Sequence, residues 1–129
     1  MDVLLEQAAF ANEAFYLAFE AKDYSAMDSV WSASQGVMCM HPGWPALVGR
    51  GSVMQSWQAI LDNPSQAQVS FFAPSFERLA DTAVVVVCYE ETQSAVMVAT
   101  NVFVQEDERL RMVVHQAGYC DNPPVNESR

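Results

Sequence analysis

Helical periodicity fills the first half of the chain and gives way, from Gln66, to four β-rich runs at about 66–79, 82–91, 94–105 and 109–120. The runs are separated only by the turn candidates Ala80-Asp81, Thr92-Gln93 and Glu106-Asp107-Glu108, spacings that predict an antiparallel meander. Helices first and long hairpin strands afterwards make an α+β domain, in which the helices cover one face of a curved sheet. No internal repeat, linker or low-complexity tract interrupts the 129 residues. Residues 1–121 are expected to form a single domain, with 122–129 as a loose tail.

Three helices are predicted. Over residues 2–22, Ala8, Ala11, Phe15 and Phe19 recur at helical spacing, with Glu6, Glu13 and Glu20 on the other side. A short second helix is capped by Asp23 or Ser25, buries Met27, Val30 and Trp31, and ends near Gly36. VMCMH (37–41) reads as a short strand closed by Pro42, and Gly49-Arg50-Gly51-Ser52 opens a third helix that buries Val53, Trp57, Ile60 and Leu61. In the last run Leu110, Met112, Val114 and Gln116 alternate with Arg109, Arg111, Val113 and His115, and the apolar even set is expected to face the helices. The run 82–91 is apolar on both sides, so the outer sheet face is expected to be covered by a second copy of the chain, the alternative being ordinary exposure of a few valines.

Six basic against sixteen acidic residues give a formal charge of −10, which opposes a nucleic-acid partner. Polar residues interrupt every apolar segment before it could span a bilayer, and Asp2 and Glu6 stand where a secretion signal needs positive charge. A cytoplasmic protein without membrane or nucleic-acid contacts is therefore expected. Cys39, Cys88 and Cys120 sit in apolar contexts that suit reduced, buried thiols. No metal-ligand spacing, dinucleotide loop, phosphate-binding loop or nucleophile-elbow serine is present, which leaves cofactor-independent chemistry or simple binding.

Three helices, then HPGWPALVGRGSVMQSWQAIL (41–61), then a meander with NVF in one strand and RMVVHQAG in the last resemble the nuclear transport factor 2-like superfamily. The match is to its SnoaL-like branch of small bacterial proteins and runs to about Cys120. The resemblance implies a cystatin-like, cone-shaped fold with an apolar pocket at its open end and dimerisation through the outer sheet face. It also implies a range of activities, among them isomerases, dehydratases, polyketide cyclases and epoxide hydrolases, so the fold alone does not give the reaction. The resemblance further implies a pair of histidines in the last strand, common where HPGW occurs, whereas this sequence reads His115-Gln116.

His41 ends the first strand where isomerases of the superfamily hold a general-base carboxylate, and an imidazole beside an apolar cavity suits proton abstraction near neutrality. The alternative is a ring that hydrogen-bonds a backbone carbonyl and pins the Pro42-Gly43 turn. Trp44, between two prolines, is the candidate pocket wall, while Trp31 and Trp57 either join it or pack in the core. Gln116 and Asn101 are amides on inward-facing strand positions that either orient a ligand or bond between strands. Tyr16 and Tyr89 are candidate proton donors to an oxyanion or simply buried rings. His115 is placed at the dimer face, and Glu90-Glu91 and Glu106-Asp107-Glu108 are read as solvated hairpin ends.

Two functions fit these residues. One is a cofactor-free isomerase, dehydratase, cyclase or hydrolase acting on a small apolar or amphipathic molecule, with His41 moving a proton. The other is a non-catalytic module that holds a ligand or a protein partner. Convergent polar atoms around one point in the pocket would separate the first from the second.

Overall fold

In the computed structural model, which describes residues 2–128, Asp2 starts the first helix by accepting the Leu5 N–H at 2.8 Å. Helix α1 (Val3–Ala21) ends at Lys22, whose left-handed backbone turns the chain directly into the Asp23 cap of α2 (Tyr24–Val30). The second helix stops six residues before Gly36. From Trp31 the chain is extended instead, and its bridge to the last strand places Ser32 N–H on the Met112 carbonyl.

Strand β1 (Met38–Met40) leads to a tight turn in which Pro42 and the left-handed Gly43 let Trp44 N–H reach the His41 carbonyl at 2.9 Å. A two-residue strand, β2 (Leu47–Val48), then pairs with β1. It is not legible in the sequence, since a segment this short has no periodicity to read. Helix α3 (Arg50–Asp62) follows Gly49, whose φ of 95° and ψ of 148° favour a residue without Cβ.

The meander consists of β3 (Ser70–Ala80), β4 (Ala83–Glu91), β5 (Val96–Glu106) and β6 (Arg109–Tyr119). With β1 and β2 it forms one six-stranded sheet in the order β2-β1-β6-β5-β4-β3, antiparallel except for the β1–β6 pair. The fold is α+β, as expected. The helices lie on one face and bury Phe15, Met27, Trp31 and Trp57 against Val84, Val86, Phe103 and Met112. Glu106 is less solvated than a hairpin end suggests, because its carboxylate accepts from the Ser32 and Ser34 hydroxyls and anchors the segment after α2.

One irregularity in β6 controls everything downstream. Val102 pairs with Val114 and Phe103 pairs with Met112, so Val113 is an extra residue opposite the β5 ladder. Leu110 and Met112 point inward before it, whereas His115 and Ala117 point inward after it. Strict alternation assigned Gln116 to the interior and His115 to the outer face. The bulge reverses both: His115 is 1% exposed, and Gln116 is exposed to solvent.

Candidate functional site

The inward residues of β4 are Val84, Val86, Cys88 and Glu90, a row of apolar positions that ends in a carboxyl group only 2% exposed. Beside it on β6 stands His115, and across from them His41 closes β1 at 6% exposure. These three side chains share a cavity of about 440 Å³ with Phe19, Trp44 and Tyr119 on its walls. Glu90 and His115 form the floor. Trp44 and Tyr119, at 47% and 72% exposure, form the rim.

Behind the floor, a chain of hydrogen bonds fixes where each proton sits. His115 Nδ1 is 2.6 Å from Asn101 Oδ1, an atom that can only accept, so the imidazole carries its proton on Nδ1 and its lone pair on Nε2. The Asn101 amide spends its two N–H bonds on Asn12 Oδ1 at 2.8 Å and the Tyr16 hydroxyl at 3.2 Å. Tyr16 in turn donates to Glu90 Oε2 at 2.6 Å. His115 Nε2 stands 3.8 Å from that same oxygen, too far for a direct hydrogen bond.

His41 has its own support. Ser56 gives its proton to the Val53 carbonyl at 2.6 Å, so its oxygen accepts from His41 Nε2 at 2.9 Å and leaves Nδ1 as the basic nitrogen. The ring is therefore held by a side chain of α3 rather than by the backbone of its own turn. Trp57 and Trp44 flank it edge-on, each with centroids 4.9 Å away.

Burial sets the proton affinities. It lifts the Glu90 carboxyl from 4.5 to about 7, against the opposing pull of the Tyr16 hydrogen bond. It lowers His41 from 6.5 to about 4, which makes it a weaker base than an imidazole at the ordinary value. His115 falls to about 3, through burial first and the nearby His41 second. At neutrality both imidazoles are uncharged, and the group that titrates is the glutamate. Burial also raises the Cys39 and Cys88 thiols, to about 12 and about 11, so neither is a ready nucleophile. Cys120 is half-buried.

Of the residues singled out in the sequence, His41 and Trp44 line the cavity. Tyr16, Asn101 and Trp57 are buried one layer behind it, where they touch the lining residues instead of a ligand. Three lie elsewhere. Trp31 packs in the core beside Met112, with its Nε1 unpaired among the described residues. Tyr89 is on the outer sheet face stacked on Phe72, because it alternates with the inward Cys88 and Glu90. Gln116 is turned out by the bulge. Sequence reasoning missed Glu90, Asn12 and Ser56. For Glu90 a signal existed, since it continues the parity of Val84, Val86 and Cys88.

A second cavity, of about 420 Å³, lies between α1, α2 and the β5–β6 turn. Its walls are apolar, with Phe10, Ala14, Val30 and Leu110 prominent, and its charged groups, Glu108 and Arg109, lie at the hairpin. It lacks the buried acid and imidazoles of the first. Among the described residues no three His, Cys, Asp or Glu side chains converge as metal ligands, and no helix is long and apolar enough to cross a membrane.

Comparison with known proteins agrees with this architecture. A candidate dehydratase of the nuclear transport factor 2-like family from Streptomyces avermitilis is 28% identical, with a TM-score of 0.83 over 94% of this chain and 99% of that one. A candidate calcium/calmodulin-dependent protein kinase type II association domain from Thiobacillus denitrificans is 29% identical, with a TM-score of 0.76 over 86% and 93% of the two chains. A protein of unknown function with a cystatin-like fold from Nostoc punctiforme shares the fold at 9% identity, with a TM-score of 0.76 over 96% and 97%. No curated protein sequence matches the chain. The SnoaL-like domain model matches residues 9–120, and the chain therefore belongs to the SnoaL-like domain family.

Proposed function

We propose that the protein binds a small molecule in the 440 Å³ cavity and transfers a proton on it without a cofactor, as a dehydratase or isomerase does. The observation that carries this reading is the meeting of a buried carboxyl group and two uncharged imidazoles at one apolar cavity. A glutamate poised near neutrality is a proton donor of suitable strength, and a neutral His41 supplies the base. In a dehydration, His41 Nδ1 takes a proton from the carbon beside a carbonyl, the carbon–oxygen bond breaks, and the leaving hydroxyl departs as water with the Glu90 proton. The C=C bond forms in its place, and the proton on His41 returns to Glu90 through solvent. The similarity to a candidate dehydratase supports the same class.

The generic test is exchange of the α-hydrogens of 4-phenylbutan-2-one in D2O, followed by NMR. The wild type should accelerate exchange over buffer, and His41→Ala and Glu90→Gln should lose most of the acceleration. Bound ketone with exchange at the buffer rate would instead favour a binding module. Assembly as a dimer through the outer face, where Val85, Val87, Val98 and Val102 are only partly covered, accords with this reading in a cytoplasmic protein. Sedimentation would test that assembly.

A further inference from the structure

We infer that the cavity selects an uncharged ligand, one whose carbonyl or hydroxyl oxygen accepts a hydrogen bond from Glu90 Oε1, and that it rejects carboxylates and phosphates. The inference rests on the proposed ligand cavity and adds the chemical class of what enters it.

No lysine or arginine lines the cavity among the described residues. Lys22, at the exposed outer edge of the mouth, bonds the Asn63 carbonyl and does not reach the floor, Arg50 pairs with Asp28, and Arg78 pairs with Asp2. Arg109 and Arg111 reach the Ser29 carbonyl of α2, and Ser29 and Arg109 line the other cavity. The imidazoles do not replace them as cations, since each gives its one N–H to a neutral oxygen, on Ser56 or on Asn101. An anion brought to this floor would lose its water and meet no opposite charge.

The direction of the hydrogen bonds then places the acidic proton. Asn101 donates to Tyr16, and Tyr16 donates to Glu90 Oε2, so Oε2 is occupied as an acceptor and the carboxyl proton belongs on Oε1. Oε1 has no hydrogen-bond partner among the described residues, and Glu90 lines the cavity. The titratable groups around this carboxyl are Tyr16 on α1, Cys39 on β1, Cys88 on its own strand and His115 on β6. His41 lies within reach of His115. None of them is a cation at neutrality, and the Tyr16 hydroxyl, with its proton affinity raised by burial, keeps its proton. The floor thus offers one donor, on Oε1, with the lone pair of His115 Nε2 3.8 Å from the other oxygen of the same carboxyl group. A carbonyl or hydroxyl oxygen fits that donor, and the neutral amides and hydroxyls of Asn63, Gln66, Thr92 and Ser94 at the mouth suit the same chemistry.

Three probes of one shape separate the possibilities by titration calorimetry: 4-phenylbutan-2-one, 3-phenylpropanoate and the ammonium form of 4-phenylbutan-2-amine. At pH 6 the ketone should bind at least about tenfold more tightly than either ion. Its affinity should weaken about tenfold or more by pH 8.5, because binding draws on the protonated carboxyl group. Glu90→Gln, which keeps a donor at this position, should bind the ketone with no such pH dependence. Tyr16→Phe removes the bond that favours ionised Glu90, so it should move the loss of affinity to higher pH; it serves if Glu90→Gln fails to fold. Tighter binding of the carboxylate or of the ammonium ion, or ketone binding by the wild type that is flat with pH, would overturn the inference. Failure of all three probes to bind would remove the cavity reading beneath it.

Discussion

Replacing Glu90 with glutamine should stabilise the protein, and by an amount that grows with pH. Glutamine keeps an oxygen to accept the Tyr16 hydrogen bond at 2.6 Å but has no charge to desolvate. In the unfolded chain Glu90 ionises near 4.5, and in the folded protein at about 7, with burial as the main cause. A carboxyl group whose folded value is raised holds its proton more tightly when folded. Its contribution is fully present below 4.5 and is lost as pH rises to about 7. At ~1.36 kcal/mol per pK unit, the loss comes to about 3 kcal/mol, a large share of the stability of a domain this size. The two histidines act in the opposite sense. With folded values lowered to about 4 and about 3, they destabilise the fold as pH falls below 6.5. That effect is common to both proteins, so it largely cancels in the comparison. Urea unfolding of wild type and Glu90→Gln between pH 4.5 and 8 should therefore show a stability difference that opens by about 3 kcal/mol toward the alkaline end. A difference that stays constant across this range would refute a buried, uncompensated carboxyl group at the cavity floor.

Four further outcomes follow from the same structure. Turnover of any substrate that uses His41 as base and Glu90 as acid should hold a plateau between about pH 4 and about pH 7, with limbs that His41→Ala and Glu90→Gln respectively abolish. Ser56→Ala deprives His41 Nε2 of its acceptor at 2.9 Å, and nitrogen NMR should show the ring changing from one tautomer to a mixture while the fold persists. Trp57→Ala opens a hole between Phe15, Phe19 and His41 and should cost about 3–5 kcal/mol by denaturant unfolding. Gly49→Ala meets no neighbouring atom within 4 Å but forces a Cβ into a backbone with φ of 95°, and should lower stability by about 1–3 kcal/mol.

The architecture was legible because it depends on periodicities many residues long. Phe15 and Phe19 on α1, and the alternation of Val84, Val86 and Cys88, each repeat often enough to define a face. The site was legible only in part. His41 and Trp44 were found because Pro42 and Gly43 mark a turn that the chain makes regardless of its surroundings. His115 and Gln116 were exchanged because a bulge at Val113 is set by the pairing of two strands and has no signature in either alone. Glu90 reads as a solvated hairpin charge on the general rule that charges stay in water. The buried Tyr16, Asn101 and His115 that receive it come from three different elements, α1, β5 and β6, far apart in the sequence.

The extra residue in β6 also bears on how such a site can change over generations. Losing one codon at Val113 would remove the bulge and leave plain alternation, in which Met112, His115 and Ala117 still point inward and Gln116 outward. Relatives one residue shorter in this strand would keep the same cavity floor, so an alignment that sets the gap beyond His115 would match residues that never share a role.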